Sequence, residues 1–213
     1  MSKTILEKIN EGRQYRDFES PKFEIREQDD GQMIVEGYAT TFRSPYVLFE
    51  ADNIRLIEQV DEKAFEGCDM SDVIMQYNHE GRVFARISNG TLKTEPDEKG
   101  LKVTARLDGT ELGRQLFNEI RGGYTDKMSF GFIVDEDELT KREYDDGKVD
   151  YLRTITRIGK LFDVSAVSIP ANNATSISAR SFYDGLIEKH KQELFERELR
   201  AKKKQAIKIL SEV

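Results

Sequence analysis

Short runs of alternating apolar and polar residues fill most of the chain. NIRLIEQV (53–60) is the cleanest, and its period of two predicts a half-buried strand. KFEIRE (22–27) and QMIVEGYATTF (32–42) read as strands on either side of Asp29-Asp30-Gly31, a hairpin-turn signal. DVIMQYNH (72–79) predicts a strand that ends in polar residues. RVFARIS (82–88), GTLKTEP (90–96) and GLKVTARL (100–107) follow, with turns at Asn89-Gly90 and Lys99-Gly100. DEKAFEG (61–67) predicts a short helical turn between strands.

One internal stretch has helical spacing instead. Leu112, Leu116, Phe117 and Ile120 fall on one helix face, with Asp108 or Thr110 as the cap and Gly122-Gly123 as the stop. Three further strands are predicted beyond it, at 126–136, 149–160 and 161–171, the last closed by Pro170. The acidic stretch 135–148 reads as an exposed hairpin tip or loop.

The two ends differ from this middle. Residues 1–21 are polar and predict a flexible N-terminal arm. Residues 179–213 predict a long charged helical tail, removable or docking, with only a broken apolar stripe. From residue 181 on it has eight Lys and Arg against six Asp and Glu, so +2 falls on the tail and −9 on the rest. The fold expected for 22–178 is therefore mainly β with flanking helices, its strands forming a barrel or closed antiparallel sheet.

Composition narrows the chemistry. A net charge of −7 over 213 residues disfavours nucleic acid as a partner. No apolar run suits a membrane span, and the polar start does not read as a signal peptide. The single cysteine, Cys68, excludes an intramolecular disulfide and multi-cysteine metal sites. With two histidines, a metal site is poorly supplied, and no metal or cofactor is expected.

Three residues on separate segments combine into a hydrolytic set. His79 sits where a strand gives way to a turn, in QYNHEGR. It is suited to general-base work near neutral pH, but it reads equally as a surface turn residue. Ser129, in GGYTDKMSFGF, shares a strand face with Gly131 and Ile133, while Met128, Phe130 and Phe132 face the other way. A buried serine satisfied by the sheet is the plainer account, since this is not the GxSxG elbow. Asp163, in KLFDVSAVSIPA, shares a face with Leu161, Ser165 and Val167. A carboxylate on an apolar strand needs a partner, and an imidazole would serve. Ser165 and Ser168 are alternative hydroxyls in weaker surroundings. Backbone near Phe130 and Gly131, or the side chains of Arg153 and Arg157, are candidates for the oxyanion or substrate side. His190 reads as solvated on the tail.

At these residues the sequence resembles the HK97-type prohead maturation proteases of tailed phages. The resemblance is spread in order from about 22 to 178: VEGYATTF (35–42), VDEKAFEG (60–67), YNHEGR (77–82), GLKVTARL (100–107), the helix and glycine pair (111–123), MSFGF (128–132) and LFDVSAVSIPANNAT (161–175). It implies Ser129 as nucleophile and His79 as base. Asp163 stands where the family usually has glutamate, one methylene longer. It also implies a fold similar to herpesvirus assemblin, a β-barrel edged by helices. The implied substrate is a scaffold protein or the scaffolding region of the major capsid protein precursor, and the enzyme itself. The implied place is the procapsid interior in the host cytoplasm, and a homodimer is expected by analogy. A catalytically inactive assembly or scaffold protein on the same fold is the alternative, and it predicts that His79 and Ser129 stay apart. An unrelated β-barrel binding module is a third reading.

Overall fold

The segment with the cleanest alternation forms the strand Ile54–Val60, buried at every second position. Its neighbours follow the same rule. The computed structural model describes residues 12–18, 23–27, 31–51, 53–168 and 177–211. The strands, in chain order, are β1 (Gln14–Phe18), β2 (Glu24–Glu27), β3 (Met33–Thr41), β4 (Tyr46–Ala51), β5 (Ile54–Val60) and β6 (Ile74–Tyr77). They continue with β7 (Glu80–Arg86), β8 (Leu92–Pro96), β9 (Gly100–Arg106), β10 (Lys127–Glu143) and β11 (Val149–Val167). The helices are α1 (Glu111–Arg121) and α2 (Ile177–Ser211). The turn residues Asp29 and Asp30 lie outside the described residues, as do Pro170 and the 1–11 part of the arm.

β10 and β11 form the spine. They pair antiparallel from Lys127 opposite Val167 to Glu143 opposite Val149. Gly147, at φ 83°, takes the left-handed conformation that the tip of this hairpin requires. On its other edge β11 is long enough to hold two neighbours in tandem. Its first part pairs parallel with β5, and its last part pairs parallel with β6. β4 extends the sheet from β5, β7 from β6, and β1 from the far edge of β10. The second sheet is antiparallel, in the order β2-β3-β9-β8.

The closed barrel expected from the sequence is not formed. Among the described residues the seven-stranded path ends at β1 and β4 and the four-stranded one at β2 and β8. The bridge from Phe42 to Val60 is isolated and makes no ladder between them. Barrel closure requires consistent tilt and stagger around a whole ring. Here two very long strands and their parallel partners build an open mixed sheet instead. The acidic stretch also differs from expectation: residues 135–143 continue β10, and only 144–148 turn. The strands predicted at 149–160 and 161–171 are one strand to Val167. Within the arm, Gln14–Phe18 is a strand of the sheet.

The main core lies between the sheets. Val35 and Ala39 of β3, Val103 and Ala105 of β9, Phe130 and Phe132 of β10, and Val164 and Ala166 of β11 meet there. Helix α1 buries Leu116, Phe117 and Ile120 against it, while Leu112 stays at the surface. Thr110 is its cap, with Oγ1 accepting the Gly113 N–H at 2.9 Å. Gly123, at φ 74°, ends it. A smaller core joins Leu48, Ile54, Leu56, Val149 and Tyr151 to Leu186 of α2. Lys141 and Arg197 add ion pairs to Glu193 and Glu143, so α2 is docked on the β10–β11 hairpin between Leu186 and Arg197. Further along, Phe195 and Ile207 are exposed. His190 is half-buried, with Nδ1 out of water, rather than solvated.

Candidate active site

His79 is held by a two-residue turn. Tyr77 pairs with Glu80, and Asn78 and His79 between them have φ of 50° and 61°. Two positive φ angles are the signature of the hairpin turn whose twist matches the strands. For a residue with a Cβ, that conformation costs about 1 kcal/mol. The cost is offset by anchoring: Asn78 N–H donates to the Ala166 carbonyl at 3.1 Å, and His79 N–H donates to Ser165 Oγ at 3.2 Å. The turn thus hangs the imidazole over the end of β11.

Ser129 and Asp163 come from adjacent strands beneath it. Ser129 lies opposite Ser165, and Gly131 lies opposite Asp163. A register shift between Gly131 and Phe132 sets Asp163 across from Gly131 and Leu161 across from Phe132. The bulge sends Leu161 into the core, against the simple alternation, while Asp163 stays on the site's face.

The three side chains meet. His79 Nε2 is 2.5 Å from Ser129 Oγ, and His79 Nδ1 is 2.5 Å from Asp163 Oδ2. Aspartate is long enough here without the extra methylene of glutamate. Ser165 Oγ donates to Asp163 Oδ2 at 3.2 Å, so it fixes both the carboxylate and the His79 backbone. Sequence reasoning had Ser165 only as a rival hydroxyl. Ser168 is held away, between Tyr77 and Thr125.

Strand β1 covers this group. Arg16 O accepts from Ser129 Oγ at 2.9 Å. The Tyr15 ring lies 4.4 Å from the imidazole, centroid to centroid. Arg13 forms an ion pair with the other oxygen of Asp163 and lies over the Phe162 ring at 4.7 Å. Ser129 and Asp163 are consequently fully buried, and the His79 side chain is 12% exposed. Nothing in the apolar pattern marked residues 13–16, because this strand is held by charge and hydrogen bonds.

The sequence profile of the Caudovirus prohead serine protease family matches residues 21–191. The chain belongs to this family. It is thus a member of a serine-protease family of phage prohead maturation, and the family's matched segment contains His79, Ser129 and Asp163. No curated protein matches the chain. Among solved structures, the bacteriophage T4 capsid assembly protease, gp21, aligns with a TM-score of 0.44 and 12% identity, over 73% of this chain and 96% of that one. That likeness is too low to equate the two folds.

Phe130 is a core residue stacked on Phe132 at 4.4 Å. Gly131 gives its space to the Asp163 carboxylate and Arg13, rather than to a substrate backbone. Arg157 does not reach the site. It is half-exposed and paired with Asp135 and Glu136, six ladder pairs from Ser129. Arg153 is fully buried and bonds Glu58 and Asp137, each at 2.5 Å, rather than Ser129.

Glu58 is the centre of a second polar cluster beside β1. Arg16 Nε donates to Glu58 Oε1 at 2.5 Å, and Tyr46 Oη also donates to it. Burial opposes its ionisation, yet Arg16 and Arg153 hold its carboxyl at about 2. Burial likewise disfavours the Arg16 charge, and Glu58 more than restores it. Cys68 takes no part: burial pushes its thiol up to about 11, so it stays protonated at neutral pH. Among the described residues no group of His, Cys, Asp and Glu forms a metal site, and no helix is long and apolar enough to cross a membrane.

Proposed function

We propose that this chain is the maturation endopeptidase of a phage prohead, with Ser129 as nucleophile, His79 as general base and Asp163 as the acid that orients it. The observation that carries the reading is His79 standing between the other two, 2.5 Å from each. With Nδ1–H donated to Asp163, Nε2 is left as the acceptor for the Ser129 proton. Ser129 Oγ attacks the scissile carbonyl carbon, and His79 takes the proton and returns it to the leaving amine. A water activated by His79 then hydrolyses the acyl-enzyme. Asp163 stabilises the imidazolium that forms between the steps.

The substrate on this reading is a scaffold protein or the scaffolding region of the major capsid protein precursor, and the chain itself. On this reading the enzyme works within the procapsid, as a homodimer, without metal, nucleic acid or membrane. Family membership supports the capsid context. The inactive-scaffold alternative required His79 and Ser129 to be apart, and their contact counts against it.

Co-expression of the capsid protein with wild type or Ser129→Ala, followed by intact-mass analysis, tests the reading. Processing is expected only with wild type. Equal processing in both would end the enzyme assignment.

A further inference from the structure

Strand β1 lies on the site as a bound peptide would. It adds to the free edge of β10, with Arg16 opposite Phe130 and Asp17 opposite Ser129. Strand addition is a general way to hold an extended peptide, since the main chain binds and alternate side chains enter pockets. The Arg16 carbonyl accepts from Ser129 Oγ at 2.9 Å, so a peptide carbonyl sits at the nucleophile. The side chain of that same residue is only 4% exposed. It runs to Glu58 at 2.5 and 3.1 Å, with its outer nitrogen on Gln14 Oε1 at 2.9 Å. The profile match begins at residue 21, so β1 lies outside the family's matched segment.

The charge balance of the cluster points the same way. Among the described residues, Arg16 and Arg153 share the buried carboxylate of Glu58. Remove Arg16 and Glu58 loses the partner on its Oε1 side. Breaking a buried ion pair by taking away one member is strongly disfavoured, so the emptied space calls for another cation. A guanidinium on an incoming peptide would replace Arg16 with the same fork of donors.

We propose that β1 occupies the substrate strand position, and that the pocket floored by Glu58 selects a basic side chain, arginine foremost, on the acyl side of the scissile bond. In this chain the bond so presented is Arg16–Asp17. This proposal rests on the Ser129–His79 reading. Ser129 Oγ bonds to the carbonyl carbon of the arginine, and the following amide nitrogen leaves with the proton that His79 had taken. Water then releases the arginine carboxylate and restores the Ser129 hydroxyl. Until β1 leaves, it obstructs the site in three ways. Its carbonyl competes with His79 for the one hydroxyl proton, Tyr15 covers the imidazole, and the charge of Arg13 on Asp163 opposes an imidazolium.

The test uses the full chain and a quenched fluorescent peptide of the 12–19 sequence, GRQYRDFE. Partner peptides carry lysine, alanine or glutamate in place of the second arginine. Scission after that arginine is expected, with lysine within tenfold and with alanine and glutamate at least a hundredfold slower. Because only the peptide changes, misfolding of an enzyme variant does not enter. In parallel, a fluorophosphonate probe reports the reactivity of Ser129, and Arg16→Ala in the full chain should be labelled at least fivefold faster than wild type. Equal cutting of the arginine and alanine peptides, scission elsewhere, or no scission by a chain that the probe labels would each overturn the pocket assignment. Labelling of Arg16→Ala no faster than wild type would overturn the obstruction by β1. Absence of both labelling and scission in wild type and Arg16→Ala would instead refute Ser129 as a nucleophile, and this proposal would fall with it.

Discussion

Gly131 faces Asp163 across the β10–β11 ladder, and the side chain missing from one makes room for the carboxylate of the other. A Cβ on Gly131 would overlap Asp163 Oδ1 and press on Arg13 Nε at 2.8 Å. The carboxylate would have to move, and it is the group that holds His79. Misplacement of about 1 Å in such a set is expected to cost on the order of a hundredfold in rate. Gly131→Ala should therefore lower turnover of the capsid substrate strongly while the protein stays folded. Wild-type turnover by a folded Gly131→Ala protein would contradict this account of the glycine.

Asp163 is expected to act through tautomer and orientation. Asp163→Asn keeps the size but turns the favoured hydrogen bond around, since an amide nitrogen cannot accept from Nδ1–H. A loss of about 10³–10⁴-fold in kcat is expected, on the precedent of triad variants of this type. Single-turnover cleavage, read beside a circular dichroism melt, measures it. A loss under tenfold would show that the Ser129–His79 pair works without its acid.

Ser165 is expected to act as a positioning residue. Its hydroxyl links the His79 backbone to Asp163 by two bonds of 3.2 Å each. Loss of a hydrogen bond of this kind costs about 1 kcal/mol, or roughly fivefold in rate if it is felt at the transition state. Ser165→Ala should reduce kcat with little change in KM, and Ser165→Thr should restore part of it. A change confined to KM would place Ser165 in substrate binding instead.

Glu58 makes stability depend on acid. Its carboxyl is lowered from 4.5 to about 2 in the folded chain. A depressed carboxyl contributes stability that is full above the unfolded value and is lost as pH falls through the folded one. Resistance to urea unfolding should therefore fall as the pH drops from about 4.5 to 2, and Glu58→Gln should flatten that part of the profile. The same variant should be less stable at pH 7, because it removes the carboxylate charge that Arg16 and Arg153 both bond. A profile with the wild-type slope in Glu58→Gln would assign the acid sensitivity to other carboxyls.

The docked part of α2 has one deep anchor. Leu186 is 2% exposed and packs with Leu56 and Tyr151. Leu186→Ala should cost about 2–3 kcal/mol of the stability of this packing. Proteolysis between α2 and the hairpin should quicken accordingly. Unchanged protection would mean that the ion pairs of Lys141 and Arg197 hold the helix by themselves.

Local pattern was enough to find β3, β5, β9 and α1, because each has one apolar face and clear turn or cap residues. It was enough also to set His79 at a turn and Ser129 inside a strand, and the ordered resemblance joined these two to Asp163. β4 and β1 were not legible: β1 carries few apolar residues and is held by Arg16, Arg13 and backbone pairing with β10. The length of β10 was hidden by its acidic second half, whose side chains face water while its backbone pairs with β11.

The amino-acid sequence by itself determined the β-rich class, the capped helix, the family and the residue types of a hydrolytic site. Those follow from spacing and chemistry that act within a few residues, or from motifs that keep their order. Tertiary structure alone decided that the sheets stay open, that a bulge parts Leu161 from the face that Asp163 shares with Ser129, and that strand β1 covers Ser129. Each of these depends on which distant strands pair and in what register. Alternation along one strand carries no information on that.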